Sequence, residues 1–461
     1  MSEETKENVI EGLIADQILY GKKYEPGVKF SYSTCLPPFA NRFNGKLALY
    51  LMLEHTPEIM CPILSGLMEE GVMPPGLIIF AASGILEPTL AGGEPRGMRT
   101  LELDEFSRNF SDFLVEELIP DALRISGAKL DPSPDMHFVA GASSGGTLAW
   151  NLVWFRNDSF RRAYLSSPTF AAERGGETIL TLVRKTETRP IRLYMTAGTE
   201  EPAGVDGSSL YAALNAADTF EYAGYDFRYE QFNGEGHGCR RENPTLWRRI
   251  ARFIWANWQS DPTVKPLFQP QRISSLLEPG SVWKEVEKTA MPEKMPVRTP
   301  KGIYTFSGGK IFLGKQKKVV ASGFGKITAL AISKDRWRLY VADSKSRYLF
   351  ALSILPDGSL TQCCKFAPLH LPHDFHQTGA TDLTVLPDGR VVAATELGIQ
   401  GVWVTGMIDL ILPLPGDAVP DSVSERDHML YARAGNKVFC RPLRKEPVSG
   451  IGGGARSHLI P

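Results

Sequence analysis

The hydrophobic period of this chain changes near residue 260, and the change limits it to folds built from two unlike halves. Before that point, strand-like runs at Val28–Leu36, Lys46–Leu53, Gly76–Ala82, His137–Ala140, Arg162–Leu165, Ile191–Thr196 and Asp226–Phe232 alternate with helical patterns. The helical patterns fall at about Pro62–Glu70, Asp104–Ile125, Gly145–Phe155, Ser208–Tyr222 and Thr245–Trp258. In the last of these Leu246, Ile250, Phe253 and Ile254 share a face, and Arg248, Arg249 and Arg252 lie largely off it. That is the 3.6-residue period of a helix docked on a sheet. Strands alternating with helices predict an α/β layer fold around a mainly parallel sheet. Residues 261–300 then carry seven prolines and little periodicity, which reads as a linker or an irregular wrapping segment. From about Gly302 onward the pattern is short strands separated by turns such as Ser307-Gly308-Gly309, Pro356-Asp357-Gly358 and Pro387-Asp388-Gly389. This predicts an all-β half, a propeller in preference to a sandwich, with room for about three to four blades.

The expected division is therefore an α/β domain over 1–260, a Pro-rich linker over 261–300, a propeller-like domain over 301–447 and a frayed Gly-rich tail over 448–461. A length of 461 residues exceeds one ordinary core and agrees with more than one domain. Lys plus Arg number 51 against 52 for Asp plus Glu, a formal net charge of −1 that lacks the footprint of a nucleic-acid binder. No apolar run approaches the ~18 residues of a membrane span. The polar, acidic start MSEETKENVIEG has no leader pattern, so a cytoplasmic protein is expected, or a secreted one if a leader was removed. Six cysteines form no CxxC pair and no disulfide frame, which favours a reducing compartment.

Chemistry concentrates in the first half. The run Met136–Ala142 leads as a buried strand into Gly141-Ala142-Ser143-Ser144-Gly145, and a helical pattern comes next. A G-x-S-x-G elbow needs this spacing: the nucleophile sits in a strained strand-to-helix turn, and glycines let the backbone pass closely. The helix start then offers amides, including that of Ser144, to a developing oxyanion. The same residues also fit a glycine-rich turn with no catalysis. A serine needs a base, and the base an orienting carboxylate; where a G-x-S-x-G elbow of the α/β-hydrolase type carries them, they come in the order Ser, acid, His. Glu200 and Glu201 come just after a strand end, and His237 stands in a glycine-flanked loop before the last helix. The residues alone do not choose between the two glutamates.

Over about residues 45–258 the chain resembles the enterochelin-esterase and esterase-D branch of the α/β-hydrolases. The resemblance rests on Glu117-Leu118-Ile119-Pro120, the elbow Gly141–Gly146, the acid loop Gly198-Thr199-Glu200-Glu201-Pro202, Gly236-His237 and the Arg-containing stretch Arg96–Asp104. It implies Ser143, Glu201 and His237 as catalytic residues, and Ser144, His55 and Arg99 around the oxyanion and substrate. One departure stands out: the branch usually has a glycine-containing turn after the strand matching Ala48–Leu53, and here the sequence is Leu53-Glu54-His55-Thr56. A carboxylate beside an oxyanion would oppose charge development. His55 is expected either to donate a hydrogen bond there or to face solvent.

In the second half, Ala329–Asp343, Leu355–Leu360 and Gly379–Thr395 are similar to the gluconolactonase/regucalcin family of six-bladed propellers. That family holds a divalent cation on its axis with oxygen ligands. Matched by position, its asparagine falls on Thr328 and its acid on Thr381, with Asp382 one step off and facing the other way in a strand. No catalytic metal and no cofactor are therefore expected. His370, His373, Asp374 and His376 read as a solvated loop, and the adjacent Cys363 and Cys364 as structural residues. A partial propeller would expose sheet edges, so this half is expected to pack on the hydrolase half or form a homo-oligomer. The expectation for the whole chain is α/β plus all-β, and a metal-independent serine esterase acting on small polar esters of the siderophore, sugar or feruloyl type. It is expected to bind neither nucleic acid nor membrane. The alternatives are a non-catalytic binding protein and, ranked below it, a propeller lactonase.

Overall fold

The central strands of the first half are apolar along their whole length, as strands covered on both faces must be. In the computed structural model, which describes residues 10–445 apart from 25, 91, 172, 173, 375, 377 and 378, eight strands form its main sheet. They are β1 (Leu13–Tyr20), β2 (Val28–Cys35), β3 (Ala48–Leu53), β4 (Gly76–Ala81), β5 (His137–Ala142), β6 (Arg162–Ser166), β7 (Arg192–Glu200) and β8 (Asp226–Gly236). Their order across the sheet is β1-β2-β4-β3-β5-β6-β7-β8, with a short hairpin, Ile85–Leu86 with Arg96–Gly97, on the edge of β2. β2 runs antiparallel to β4, and from β4 through β8 all pairs are parallel. This is the strand order of an α/β-hydrolase-like fold, and it lines up the C-terminal ends of β3, β5, β6, β7 and β8 along one edge. β1 went unread in the sequence because most of its residues are exposed and they break the alternation.

The helices include α1 (Pro57–Glu69), α2 (Ile119–Ser126), α3 (Ser144–Phe155), α4 (Gly176–Lys185), α5 (Ser209–Ala223), α6 (Pro244–Ile254) and α7 (Gln271–Leu276). On one face of the sheet, Met60, Leu64 and Leu67 of α1 and Trp247, Ile250 and Ile254 of α6 close over Tyr50, Ile78, Phe138 and Tyr164. The helix expected over Asp104–Ile125 begins later, at Asn109, because Asp104 accepts the hydroxyl of Thr169 at 2.7 Å and Ser107 accepts the amide of Asn109 at 3.1 Å. It also widens into a π-turn over Leu114–Leu118 just before Pro120, which has no N–H to continue the regular ladder.

The second half holds four antiparallel four-stranded sheets in a ring, a partial propeller beside the six blades of the family its sequence resembles. The strands are β9 (Lys284–Val286), β10 (Val297–Thr299), β11 (Gly302–Ser307), β12 (Lys310–Leu313), β13 (Lys318–Ser322), β14 (Ile327–Ile332), β15 (Arg338–Asp343) and β16 (Tyr348–Ile354). They continue with β17 (Leu360–Pro368), β18 (Asp382–Val385), β19 (Val391–Thr395), β20 (Gly398–Val402), β21 (Ile408–Leu412), β22 (Ser422–Arg426), β23 (Met429–Ala434) and β24 (Lys437–Pro442). Sheets β10–β13, β14–β17 and β18–β21 keep chain order, with β10, β14 and β18 innermost. The fourth is β22-β23-β24-β9, so a strand from the Pro-rich segment completes the last sheet. Gly358 and Gly389 adopt positive φ at +83° and +89° in the two Pro-Asp-Gly turns, as that turn chemistry requires.

By contacts the chain divides into a unit of residues 1–181 with 188–268 and a unit of 182–187 with 269–461. The segment 261–300 carries α7, β9 and β10. The expected tail, 448–461, lies outside the described residues. Among the described residues no helix is long and apolar enough to cross a membrane.

Candidate active site

β5 ends in the apolar pair Gly141-Ala142, and α3 begins at Ser144, so Ser143 takes up the whole reversal with φ +56° and ψ −127°. Such a conformation costs a non-glycine residue about 1–3 kcal/mol. The spacing of the glycines is explained by contact. A Cβ on Gly141 would lie 2.0 Å from the Gly145 carbonyl oxygen, one on Gly145 3.3 Å from that of Leu53, and one on Gly146 3.2 Å from Pro168. The first turn of α3 therefore nests against the ends of β3 and β5 and the loop after β6.

β7 and β8 pair in register up to Phe232, and the pairing resumes only at Gly236 with Glu200. A Cβ on Gly198 would strike the Glu235 carbonyl at 1.9 Å, so a glycine there allows the two loops to close together. They bring His237 between two partners: its Nε2 lies 2.9 Å from Ser143 Oγ, and its Nδ1 2.5 Å from Glu201 Oε2. Glu200 stays exposed at the end of β7, and Glu201 is the glutamate that meets the imidazole.

Glu201 is held from three sides. Besides His237, its Oε1 accepts the Ser167 hydroxyl at 2.5 Å and the Gly198 amide at 3.1 Å. Burial alone would raise its pKa; the hydrogen bonds from His237, Ser167 and Gly198 outweigh burial and hold the carboxyl below its ordinary value. Ser167, at φ +43°, also accepts the Gly238 amide at 2.9 Å, so one hydroxyl ties the acid to the histidine loop. Sequence reading missed this residue. Its only signal was a serine directly after β6, at the same sheet edge as the elbow.

In the glycine-free turn Leu53-Glu54-His55-Thr56, Glu54 adopts a glycine-like φ of +57°. Its carboxylate does not stand bare: Arg99 donates Nε and Nη2 to its two oxygens, each at 2.8 Å, and Nη1 to Ser144 Oγ at 2.8 Å. Arg99, Glu54 and Ser144 thus form one polar group at the start of α3, and Ser144 itself is buried. His55 is not part of it. The alternative in which His55 faces solvent is overturned: the residue is 7% exposed, its ring lies edge-on to Trp247 at 5.9 Å, and neither nitrogen has a hydrogen-bond partner among the described residues. Burial, with Arg241 nearby, lowers its pKa to about 4, so it is neutral near pH 7. It sits beneath Trp247 because α6 covers this face of the sheet.

In the β half, Asp382 accepts the ammonium of Lys294, the Ser422 hydroxyl at 2.7 Å and the Val423 amide at 2.9 Å. Thr381 donates its hydroxyl to the Pro420 carbonyl at 3.2 Å. The position matching the propeller family's acid thus faces a backbone carbonyl, and the neighbouring carboxylate is filled by a lysine. His370 donates its backbone amide to Gln400 and His376 to Glu396. Among the described residues no three His, Cys, Asp or Glu side chains gather as a metal site.

Several solved structures are similar to about half of the chain. A ferulic acid esterase is 16% identical, over 52% of this chain and 97% of its own, with a TM-score of 0.41. An enterochelin esterase from Shigella flexneri is 18% identical, over 53% of this chain and 59% of its own, with a TM-score of 0.41. The siderophore hydrolase EstB from Aspergillus nidulans is 14% identical, over 55% of this chain and 97% of its own, with a TM-score of 0.40. With likenesses this faint, the fold class rests on the strand order. No family model matches the chain, and no curated protein does.

Proposed function

We propose that the chain hydrolyses carboxylic esters with Ser143 as nucleophile. The observation that carries this reading is the continuous relay Ser143–His237–Glu201 at the end of a strained strand-to-helix turn. His237 Nε2 takes the proton as Ser143 Oγ bonds to the ester carbonyl carbon, and Glu201 stabilises the imidazolium that forms. The oxyanion meets the N–H of Ser144, which lies in the first turn of α3 and has no acceptor within the helix. Arg99 neutralises Glu54 beside that turn, so the carboxylate does not repel the developing charge. Collapse expels the alcohol with the proton from His237; water then attacks the acyl-serine with His237 again as base, and the acid leaves. The substrate class, small polar esters of the siderophore, sugar or feruloyl type, is inferred from the resemblance of the sequence motifs.

The test is hydrolysis of p-nitrophenyl acetate and butyrate by the wild-type chain and Ser143→Ala, with and without EDTA, together with labelling by a serine-directed phosphonate. The expected result is a loss of about 10⁴-fold or more in the variant, indifference to EDTA, and label on Ser143. Equal rates in wild type and variant, with Ser143 unlabelled, would overturn the triad and favour a binding role.

A further inference from the structure

We propose that a cavity between the third and fourth sheets of the β half binds a small carboxylate with an apolar body. The cavity measures about 510 Å³, within the range of pockets that enclose small organic ligands. It opens among the turns joining β18 to β19, β20 to β21 and β22 to β23, with α7 on one side. At its floor lies Arg390, whose side chain is only 2% exposed.

The partners of Arg390 are incomplete. Its Nη2 stands 3.5 Å from Asp409 Oδ2 and 3.7 Å from Asp388 Oδ2, ion-pair separations too long for hydrogen bonds. Its Nε and Nη1 have no hydrogen-bond partner among the described residues, and its guanidinium stands 5.3 Å from the Trp403 ring centroid. A buried guanidinium with unmet donors is costly unless an acceptor reaches it. His428 Nδ1, also on the cavity wall, likewise has no hydrogen-bond partner among the described residues.

The chemistry of the walls selects the ligand. Leu276, Leu386 and Leu443 give an apolar lining, and Lys334, Arg444 and Lys445 supply positive charge around it. With Arg390 that makes four cationic side chains against one lining carboxylate, Asp388, and Asp409 stands behind the arginine. One negative charge on an apolar body suits this arrangement. A compact dianion such as phosphate would leave the leucines uncovered and face the two carboxylates. The inference does not depend on the ester-hydrolase reading, although a carboxylic acid is also what that reaction would release.

The experiment is calorimetric titration of the full chain with benzoate, 4-hydroxycinnamate, benzamide and inorganic phosphate. A saturable carboxylate Kd below about 1 mM is expected, with benzamide and phosphate at least about tenfold weaker. Arg390→Met should abolish binding, and circular dichroism reports whether it folds. Because it is buried, the exposed-side substitutions Lys334→Gln and Arg444→Gln provide a second reading, each weakening binding roughly three- to tenfold. Protein whose Ser143 has been blocked with the phosphonate should bind the carboxylates as the untreated chain does, which separates this cavity from the Ser143 site. No saturation by either carboxylate at about 10 mM, phosphate binding as tightly as benzoate, or binding unchanged in the Lys334 and Arg444 variants would each overturn the proposal.

Discussion

Two buried carboxylates, one in each half, are treated in opposite ways. Glu201 has a side chain 1% exposed and Asp409 one that is 2% exposed, so burial raises the pKa of both. Around Glu201 two short hydrogen bonds, from His237 and Ser167, and a third from the Gly198 amide outweigh burial, and the acid is held below its ordinary value. Around Asp409 burial prevails: a full guanidinium charge lies 3.5 Å away, yet neither oxygen accepts a hydrogen bond from the described residues and the pKa stays raised. Short directional donors decide the state of a buried acid more than a cation at ion-pair distance. The first arrangement suits an acid that must remain anionic beside a histidine. The second leaves an arginine with donors to spare.

The comparison can be broken most sharply at Glu201. Glu201→Gln keeps the shape but removes the anion that faces His237 Nδ1, and kcat/KM for p-nitrophenyl acetate should fall about 10⁴-fold; a loss under tenfold would mean the relay is not used. In the other half, Asp409→Ala strands Arg390 and should destabilise the β half by about 3–5 kcal/mol in urea unfolding, with Arg390→Met/Asp409→Leu recovering most of it. Equal losses in the single and double variants would show that packing, not charge, is at stake.

A buried histidine gives the next largest effect. His55 has a folded pKa of about 4 against roughly 6.5 unfolded, so as pH falls the unfolded chain takes the proton first. Stability present above pH ~6.5 is then lost down to pH ~4, an amount on the order of 3 kcal/mol. His55→Leu should flatten that part of the pH–stability curve, read from urea midpoints; an unchanged slope would place the acid sensitivity elsewhere. The smallest effect belongs to Ser167→Ala, which removes one of the donors to Glu201 and should lower kcat about 10- to 50-fold with KM little changed. A change in KM alone would make Ser167 a substrate contact instead of a positioning residue.

How much of the molecule was legible depended on the range of the interaction. Gly141, Ser143 and Gly145 could be read because the elbow is a local strand-to-helix event whose steric demands fall within five residues. His237 and the pair Glu200-Glu201 could be placed because each comes after a strand that ends at the same sheet edge, but Glu201 was chosen over Glu200 only through the resemblance of its loop. Ser167 carried no such local mark, since its partners Glu201 and Gly238 lie 34 and 71 residues away. The missing glycine in the turn after Leu53 was visible, but the φ of +57° at Glu54 and its pairing with Arg99 were not, because backbone conformation and a contact 45 residues distant leave no period in the sequence. Arg390, just after a Pro-Asp-Gly turn, carries no sequence mark of burial, yet it is 2% exposed.

The pairing of β9 with β24 has a consequence for how the protein is made. The two strands are separated by roughly 150 residues, and at ~5–20 residues per second a ribosome needs about 10–30 s to deliver the second after the first. During that interval Lys284–Val286 has no partner from its own sheet, and the fourth sheet cannot close before Pro442 has emerged. Completion of the β half therefore waits for β24, and a messenger cut short before that codon would release a strand edge open to neighbouring chains.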